Sequence, residues 1–155
     1  KLNHGAVVTD GKFDFIDYGY NYRVPELQCV MGIKQLQKLD EIVSSRNSIR
    51  DEYVKALEPL GFQVQIITDN IVHNVQSLVF KVPSNVNRDE LVKYLKENKI
   101  ETTIGTYCLS GCTYYNIKYN DIQTNAMFLE ESTITFPCYN GVDVEFIVRK
   151  IKESM

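Results

Sequence analysis

The sequence predicts an α+β domain in which a small, mostly antiparallel sheet has helices on one side and is preceded by one long helix. Apolar residues recur at spacings of three and four between positions 27 and 57, which is the period of a helix. Short β-rich runs follow, separated by polar turns and alternating with further helical patterns. With 155 residues, of which 44% are hydrophobic, the chain is long enough to bury one core.

Composition and charge argue against several classes of partner. Seventeen Lys and Arg residues stand against twenty Asp and Glu residues, a formal net charge of −3, and the basic residues are scattered along the chain. This distribution does not support a nucleic-acid-binding surface. No apolar run approaches the roughly 20 residues that span a bilayer, and no signal-peptide pattern is present. We therefore expect no nucleic acid, no membrane association and a cytoplasmic location.

The four cysteines, Cys29, Cys108, Cys112 and Cys138, suit a reducing compartment, where thiols stay free. The pair at 108 and 112 resembles half of a zinc site. Structural zinc needs four convergent ligands, and no second pair or neighbouring histidine is present. We expect small apolar side chains here and no metal.

Residues 1–24 predict an N-terminal arm and interface loop. The segment carries three glycines and the alternating aromatic run FDFIDYGYNYR, which is typical of extended or looped chain with little core of its own. Such an arm is expected to pack on another surface. Residues 25–155 are predicted to form the domain that follows it.

The long helix is predicted to begin at Pro25 and to end before Gly61. Proline is favoured at the first helical position, and Glu26 beside it suits the positive end of the helix dipole. Glycine after Leu60 is a stop signal. The polar stretch SSRNS at 44–48 is the place where a bend is expected.

The remaining elements follow in order. The runs 62–68 and 75–82 predict two antiparallel strands, and Asn87 three residues before Glu90 predicts a capped helix that continues to about Glu97. The stretch 99–107 predicts another strand. The rest comprises a short helix capped by Asn120 together with Gln123 and running to Leu129, a strand in STITFP, and a closing helix with Val144, Ile147, Val148 and Ile151 inside.

The motif GYNYR at 19–23 offers side chains suited to an anion. In an extended segment residues two apart share a face, so Asn21 and Arg23 are expected on one side and the rings of Tyr20 and Tyr22 on the other. An amide, a guanidinium and the N–H groups at the start of the following helix together suit a phosphate. The alternative is a surface loop whose arginine is simply solvated.

Several stretches resemble one family of enzymes. GYNYRVPELQCVMGIKQLQKLDEIVSSRNSIRDEYVKAL is similar to the GYNYRM-(S/T)-E-L-Q segment and following helix of sugar aminotransferases of the DegT/DnrJ/StrS type. NHG at 3–5, NRDELVKYLKENKIETTIGTY at 87–107 and ITFPCYNGVDVEFIVRKIK at 134–152 resemble further family stretches. These are pyridoxal-phosphate enzymes that aminate keto-sugar nucleotides for surface polysaccharides and antibiotics.

The resemblance implies the C-terminal small domain of a fold-type-I aminotransferase, joined through its long helix to a large cofactor-binding domain that lies outside this chain. It also implies that the complete enzyme is a homodimer that binds pyridoxal phosphate and a nucleotide sugar, and that the chain alone binds no cofactor and is inactive. No residue of this chain is expected to be catalytic. The family's cofactor-bonding lysine and its aspartate partner lie upstream.

The resemblance also suggests roles for individual residues. Asn21 matches an asparagine that reaches the cofactor phosphate of the partner subunit, and Arg23 matches an arginine that holds phosphate or substrate. IGTYCLSGCTYY resembles a family loop of I-G-T-Y-x-L-H type near the substrate, which makes Tyr107 and Ser110 candidate substrate contacts. Ser110 stands where the family has histidine. Weaker candidates are Tyr114 and Tyr115, while His4 and His73 are expected to be structural.

No lysine here suits the catalytic position. Lys1 stands too close to Gly5 for the family spacing, and the other lysines considered, Lys34, Lys38, Lys93, Lys96, Lys150 and Lys152, fall on predicted helices, mainly on their polar faces. Two alternatives remain open. One is a non-catalytic binding or regulatory module with the same fold, and the other is part of a related sugar dehydratase that uses histidine in place of the lysine.

Overall fold

The computed structural model describes residues 6–9, 12–15 and 18–155. The chain forms two compact units, residues 1–40 and residues 41–155, which are described separately. Among the described residues, none of the helices combines the length and the apolar character needed to cross a bilayer.

The described residues of the first unit include a two-stranded antiparallel sheet and helix α1. Strand β1 (Ala6–Thr9) pairs with β2 (Lys12–Phe15), with Ala6 opposite Phe15 and Thr9 opposite Lys12. Helix α1 (Glu26–Leu36) begins directly after Pro25, whose extended backbone occupies the capping position. Proline therefore stands one position earlier than the sequence predicts.

The predicted long helix is divided in two. Helix α1 ends at Leu36 and helix α2 runs from Leu39 to Leu57, so the break lies at residues 37–38. There the Lys38 N–H donates to the carbonyl of Gln35, a tighter bond than the regular helical one. The break lies at 37–38 and not in the stretch 44–48, where the sequence predicted a bend. That stretch stays helical, and the Asn47 side chain donates to the carbonyls of Val43 and His73 at 2.9 and 2.8 Å.

Helix α2 buries one stripe and ends at the predicted glycine. Ile49, Tyr53 and Leu57 are buried at intervals of four residues, as the 3.6-residue period requires. A single 3-10 turn, Glu58–Leu60, follows it. Gly61 has φ +89°, a left-handed conformation that favours glycine and lets its N–H close the turn on the carbonyl of Glu58.

A four-stranded antiparallel sheet forms the centre of the second unit. Its strands are β3 (Gln63–Val64), β4 (Leu78–Lys81), β5 (Thr103–Ile104) and β6 (Thr133–Phe136), in the order β3-β4-β6-β5. The predicted antiparallel pairing of the first two is confirmed, with Gln63 opposite Lys81. Strands β3 and β5 are two residues each, much shorter than the runs predicted at 62–68 and 99–107.

One face of this sheet carries the core. Leu78 pairs with Phe136 and Phe80 pairs with Ile134, and all four side chains are buried on the same face. The Tyr53 ring stacks on Phe136 with centroids 5.6 Å apart. The helical residues buried in this core are Ile49, Tyr53, Leu57, Leu91, Leu95, Val144, Ile147, Val148 and Ile151. The predicted α+β fold, with a small antiparallel sheet and helices over its core face, is confirmed.

Two helices of the second unit have side-chain caps. Helix α3 (Arg88–Glu97) starts as predicted after Asn87, whose Oδ1 accepts the N–H groups of Asp89 and Glu90. Helix α6 (Val144–Ser154) starts after Asp143, whose carboxylate accepts the N–H of Phe146 at 2.8 Å.

Two shorter helices, α4 (Thr113–Tyr119) and α5 (Thr124–Ser132), lie between β5 and β6. The predicted caps of α5 are absent. Asn120 instead ends α4 in a left-handed conformation, φ +48°, which asparagine tolerates better than most residues. Gln123 does precede α5, but its side chain makes no capping bond and is paired with Asp121.

Candidate functional site

The first candidate site is the segment before α1, where Asn21 and Arg23 lie side by side. Asn21 Oδ1 accepts the Nε–H of Arg23 at 3.0 Å and its backbone N–H at 3.3 Å, and both residues are exposed. Within the described residues, the Asn21 amide nitrogen and the two Nη groups of Arg23 have no hydrogen bond of their own. The carbonyl oxygen of the asparagine therefore orients the arginine, while donors of both side chains remain for an anion.

The two tyrosines of the motif also lie together. The rings of Tyr20 and Tyr22 are 5.6 Å apart, so residues two apart share a side here, as extended chain requires. Both rings remain exposed, at 69% and 63%. Sequence reasoning expected them to pack the loop, and within the described residues they pack chiefly against each other.

The start of α1 adds backbone donors to the same unit. No side chain caps it, and the first regular bond is the Cys29 N–H to the carbonyl of Pro25. The earlier N–H groups of the first turn are thus left for solvent or a ligand, and the helix dipole favours an anion there. Glu26 in this turn contributes the opposite sign of charge.

The apolar stripe of α1 is exposed in this structure. No residue of the helix is buried, although the sequence pattern predicts an inward face. The exposed apolar residues of this segment are Tyr18, Tyr20, Tyr22, Val24, Leu27, Val30, Met31, Ile33, Leu36 and Leu39. An apolar surface of this extent is typical of an interaction site.

The second candidate site, the loop around Tyr107 and Ser110, lies in the second unit. The Tyr107 side chain is 68% exposed, whereas the next residue, Cys108, is buried. Ser110 Oγ accepts the N–H of Gln123 at 2.9 Å and lies 3.2 Å from Cys108 Sγ. The hydroxyl of Ser110 is thus used inside the loop, and Tyr107 is the predicted contact that faces solvent.

A tyrosine cluster continues from this loop along α4. The Tyr114 and Tyr115 rings are 5.1 Å apart, Tyr115 stacks on Tyr119 at 6.4 Å, and Lys118 Nζ lies over two of the rings at 5.2 and 5.7 Å. All four residues are exposed. The sequence singled out two of these tyrosines; the other two residues join them because a helix brings positions three and four apart together.

The remaining predicted residues occupy ordinary structural positions. His73 Nδ1 accepts the Val75 N–H at 3.1 Å, while His4 and Lys1 lie outside the described residues. Among the described lysines considered for the cofactor bond, all are exposed except Lys150, which is half-buried and donates to Glu153 at 2.6 Å. Cys108 is buried and Cys112 exposed, and within the described part of the chain no three His, Cys, Asp or Glu residues converge as metal ligands.

Two residues that sequence reasoning did not identify hold the Tyr107 loop and the end of α5, to which the loop is bonded. Glu130 on α5 accepts the Cys108 N–H with its carboxylate. Arg88 donates to the carbonyls of Glu130 and Thr133 at 2.7 and 2.8 Å and is largely buried. A glutamate on a short helix and an arginine in a first turn give no distinctive sequence signal, because their partners are 22 to 45 residues away.

Curated proteins match this chain in sequence over part of their length. GDP-perosamine synthase of Escherichia coli O157:H7 is 26% identical over 137 residues, which cover 87% of this chain and 37% of that protein. The chain spans 28–37% of the length of the first curated relatives it matches.

Solved structures share the fold at low identity. PseC of Helicobacter pylori, an aminotransferase involved in pseudoaminic acid biosynthesis, superposes with a TM-score of 0.80 at 17% identity over 98% of this chain and 43% of its own. The Escherichia coli GDP-4-keto-6-deoxy-D-mannose-3-dehydratase, solved with bound hydrated pyridoxal phosphate, gives 0.74 at 22% identity over 92% of this chain and 38% of its own. The model of the DegT/DnrJ/EryC1/StrS aminotransferase family matches residues 2–153, and the chain belongs to that family.

Proposed function

We propose that this chain supplies the C-terminal small domain of a pyridoxal-phosphate-dependent aminotransferase that acts on a keto-sugar nucleotide in surface polysaccharide biosynthesis. The observation that carries the proposal is the exposed pair Asn21 and Arg23, 3.0 Å apart in the segment that leads into α1. Family membership and the share of the curated relatives that the chain spans support it.

The residues of this segment fit the phosphate of the cofactor. Arg23 offers two Nη groups in a planar fork, Asn21 offers its amide nitrogen, and the first turn of α1 offers backbone N–H groups. Bound pyridoxal phosphate supplies the electron-accepting ring that amino transfer requires. The part assigned to this chain is to bind the phosphate and hold its position.

The cofactor-bonding lysine is proposed to lie outside this chain. Such a lysine needs a desolvated or cation-flanked pocket to lose its proton, and Lys34 and Lys38 in the first unit are exposed. Asn21 is proposed to serve the site of the partner protomer in a homodimer. The exposed apolar side of α1 supports a protein partner for this segment.

The Tyr107 loop is proposed to contact the nucleotide sugar. Tyrosine rings stack on apolar sugar and base faces and present a hydroxyl for hydrogen bonding. Tyr107 is exposed, and the cluster formed by Tyr114, Tyr115 and Tyr119 follows seven to twelve residues later in the sequence.

Part of a sugar dehydratase is the second candidate. The likeness to the 3-dehydratase favours it, since both chemistries use this fold with the same cofactor. Whether the complete enzyme is an aminotransferase or a dehydratase depends on a lysine or histidine that we propose lies outside this chain. A free-standing module is disfavoured by the apolar side of α1, because a chain that acts alone is expected to cover such a surface.

The proposal is tested with a chimera. The matching C-terminal segment of the Escherichia coli GDP-perosamine synthase is replaced by residues 1–155 of this chain, and amination of that enzyme's substrate is measured. We expect measurable turnover and a marked loss in Asn21→Ala. The matched control Asn85→Ala, an exposed asparagine distant in sequence from the site, is expected to keep activity. A chimera that folds and binds the cofactor but has no turnover contradicts the proposal.

A further inference from the structure

The loop from Tyr107 to Cys112 is attached to α5 at two points. One attachment is the Cys108 N–H, which donates to the carboxylate of Glu130 near the end of α5. The other is Ser110 Oγ, which accepts the N–H of Gln123 at the position before α5 begins. The two attachments lie on either side of Leu109 and use opposite ends of one helix.

The first attachment holds the residue that directly follows Tyr107. Cys108 is 1% exposed, so its backbone N–H needs a partner from the protein. An oxygen of the Glu130 side-chain carboxyl group is that partner. Because the buried Cys108 is fixed, the backbone from which Tyr107 projects has one orientation.

The second attachment uses the hydroxyl of Ser110 for two contacts within the protein. Its hydroxyl accepts from Gln123 at 2.9 Å and lies 3.2 Å from the Cys108 thiol, which in turn contacts the carbonyl of Gln123 at 3.9 Å. With both contacts in place, one of the three hydrogen-bonding sites of the hydroxyl remains for a ligand. The geometry gives Ser110 a supporting position rather than a contact position.

Helix α5 is itself held in place by Arg88 at the start of α3. Nη1 of this arginine donates to the carbonyls of Glu130 and Thr133, which satisfies acceptors at the end of the helix. The largely buried Arg88 side chain thus holds the end of α5, the helix to which the loop is attached.

We propose that Glu130 and Ser110 are positioning residues that pre-orient the loop so that Tyr107 meets the nucleotide sugar. The inference rests on the proposed function for the identity of the ligand. The attachment itself depends only on the contacts of this chain. Pre-orientation lowers the entropy lost on binding, so loss of an attachment is expected to weaken binding more than turnover.

Amide hydrogen exchange of the 155-residue chain, followed by NMR, tests the attachments without any ligand. In Glu130→Ala we expect the Cys108 amide to exchange at least tenfold faster, while the core amides of Leu95 and Phe80 are unchanged. Glu130→Gln keeps an acceptor oxygen and is expected to restore protection to within about threefold of wild type. The control is Glu131→Ala, which changes the exposed neighbouring carboxylate and leaves Cys108 protected.

Ser110→Ala tests the second attachment in the same way, with faster exchange expected at the Gln123 amide.

Unchanged protection of the Cys108 amide in Glu130→Ala overturns the inference. Equal acceleration of exchange in Glu131→Ala, or at the core amides, also overturns it. In the chimera, Glu130→Ala is expected to raise KM at least fivefold with a smaller change in kcat, and an unchanged KM overturns the positioning role. An inactive wild-type chimera with the expected exchange pattern counts against the proposed function and leaves the attachments supported.

Discussion

At the scale of single residues, Tyr53 has an unusual position because its buried hydroxyl has no hydrogen-bond partner among the described residues. The side chain is fully buried and its ring packs against Phe80 and Phe136. An unpaired buried polar atom destabilises a protein by about 1–3 kcal/mol. Tyr53→Phe keeps the ring and removes that atom, so we expect the free energy of unfolding in urea to rise by about 1 kcal/mol.

The matched comparison is Tyr53→Ala, which also removes the ring. Loss of a buried aromatic side chain is expected to lower the free energy of unfolding by about 3–5 kcal/mol. If Tyr53→Phe instead destabilises the chain by more than 1 kcal/mol, the hydroxyl has a stabilising partner and the proposed reason is wrong.

Alkaline pH is expected to destabilise the second unit through Tyr53 and Cys138. Burial raises the pKa of the Cys138 thiol above its ordinary value of 9.0, an effect that Arg46 partly offsets. Burial, with nearby Cys138 and Tyr139, also raises the pKa of Tyr53 above its ordinary value of 10.0. The unfolded chain therefore loses these protons at lower pH than the folded chain, and stability falls as pH rises above about 9.

Urea midpoints measured in reductant between pH 8 and pH 10.5 check this. The decline is expected to be shallower in Cys138→Ala and in Tyr53→Phe than in wild type, because each removes one group whose folded pKa is raised. Equal slopes in all three proteins would show that other groups cause the decline.

Residue-level prediction from the sequence succeeded where the cause was local. Asn87 caps α3 because its partners are two and three residues away, and Gly61 ends a turn because of its own backbone conformation. The position of Ser110 depends instead on a residue that is distant in the sequence. Its hydroxyl is occupied by Gln123, thirteen residues on, and no local pattern indicates that contact.

At the scale of elements, Gly105 sets how closely β5 approaches β6. A Cβ at this position would lie 2.5 Å from Val79 Cγ1 and would also overlap the Thr133 side chain. Gly105→Ala is therefore expected to lower the free energy of unfolding by about 1–3 kcal/mol, the usual effect of overpacking.

The control for this change is Gly32→Ala. Gly32 lies inside α1 with open space where a Cβ would stand, and alanine favours helix more than glycine does. We expect thermal unfolding to show a clear loss for Gly105→Ala and none for Gly32→Ala. Equal effects of the two substitutions would mean that space beside β5 is not the cause.

The elements show where sequence patterns are sufficient. The closing helix was predicted from Val144, Ile147, Val148 and Ile151, and all four are buried, since a strong 3.6-residue period depends on nothing outside the helix. Strands β3 and β5 are shorter than predicted although their partners β4 and β6 continue beyond the paired residues, and the local sequence does not indicate where the pairing stops. The break at 37–38 contains neither glycine nor proline, and the local sequence does not explain it.

At the scale of the whole molecule, the apolar surface of the first unit determines the expected behaviour in solution. The sequence predicted an inward stripe on α1, and the structure leaves those side chains exposed. If this surface serves a homodimer, light scattering is expected to give a mass above that of a 17.9 kDa monomer. Leu27→Glu and Met31→Glu together should return the chain to a monomer, while the paired control Lys93→Glu and Lys96→Glu on α3 should not. A monodisperse wild-type monomer would favour the free-standing module.

The most direct test of the account concerns the phosphate contact assigned to Arg23. Two dissociation constants are measured for the chimera, one for pyridoxal phosphate and one for pyridoxal, which lacks the phosphate. The proteins compared are wild type, Arg23→Ala and Lys34→Ala. Lys34→Ala is the control because it removes one positive charge from the same unit. We predict that Arg23→Ala weakens pyridoxal phosphate binding about 10- to 100-fold, the equivalent of about 1.4–3 kcal/mol, and leaves pyridoxal binding unchanged. Equal affinities of wild type and Arg23→Ala for pyridoxal phosphate would contradict the account.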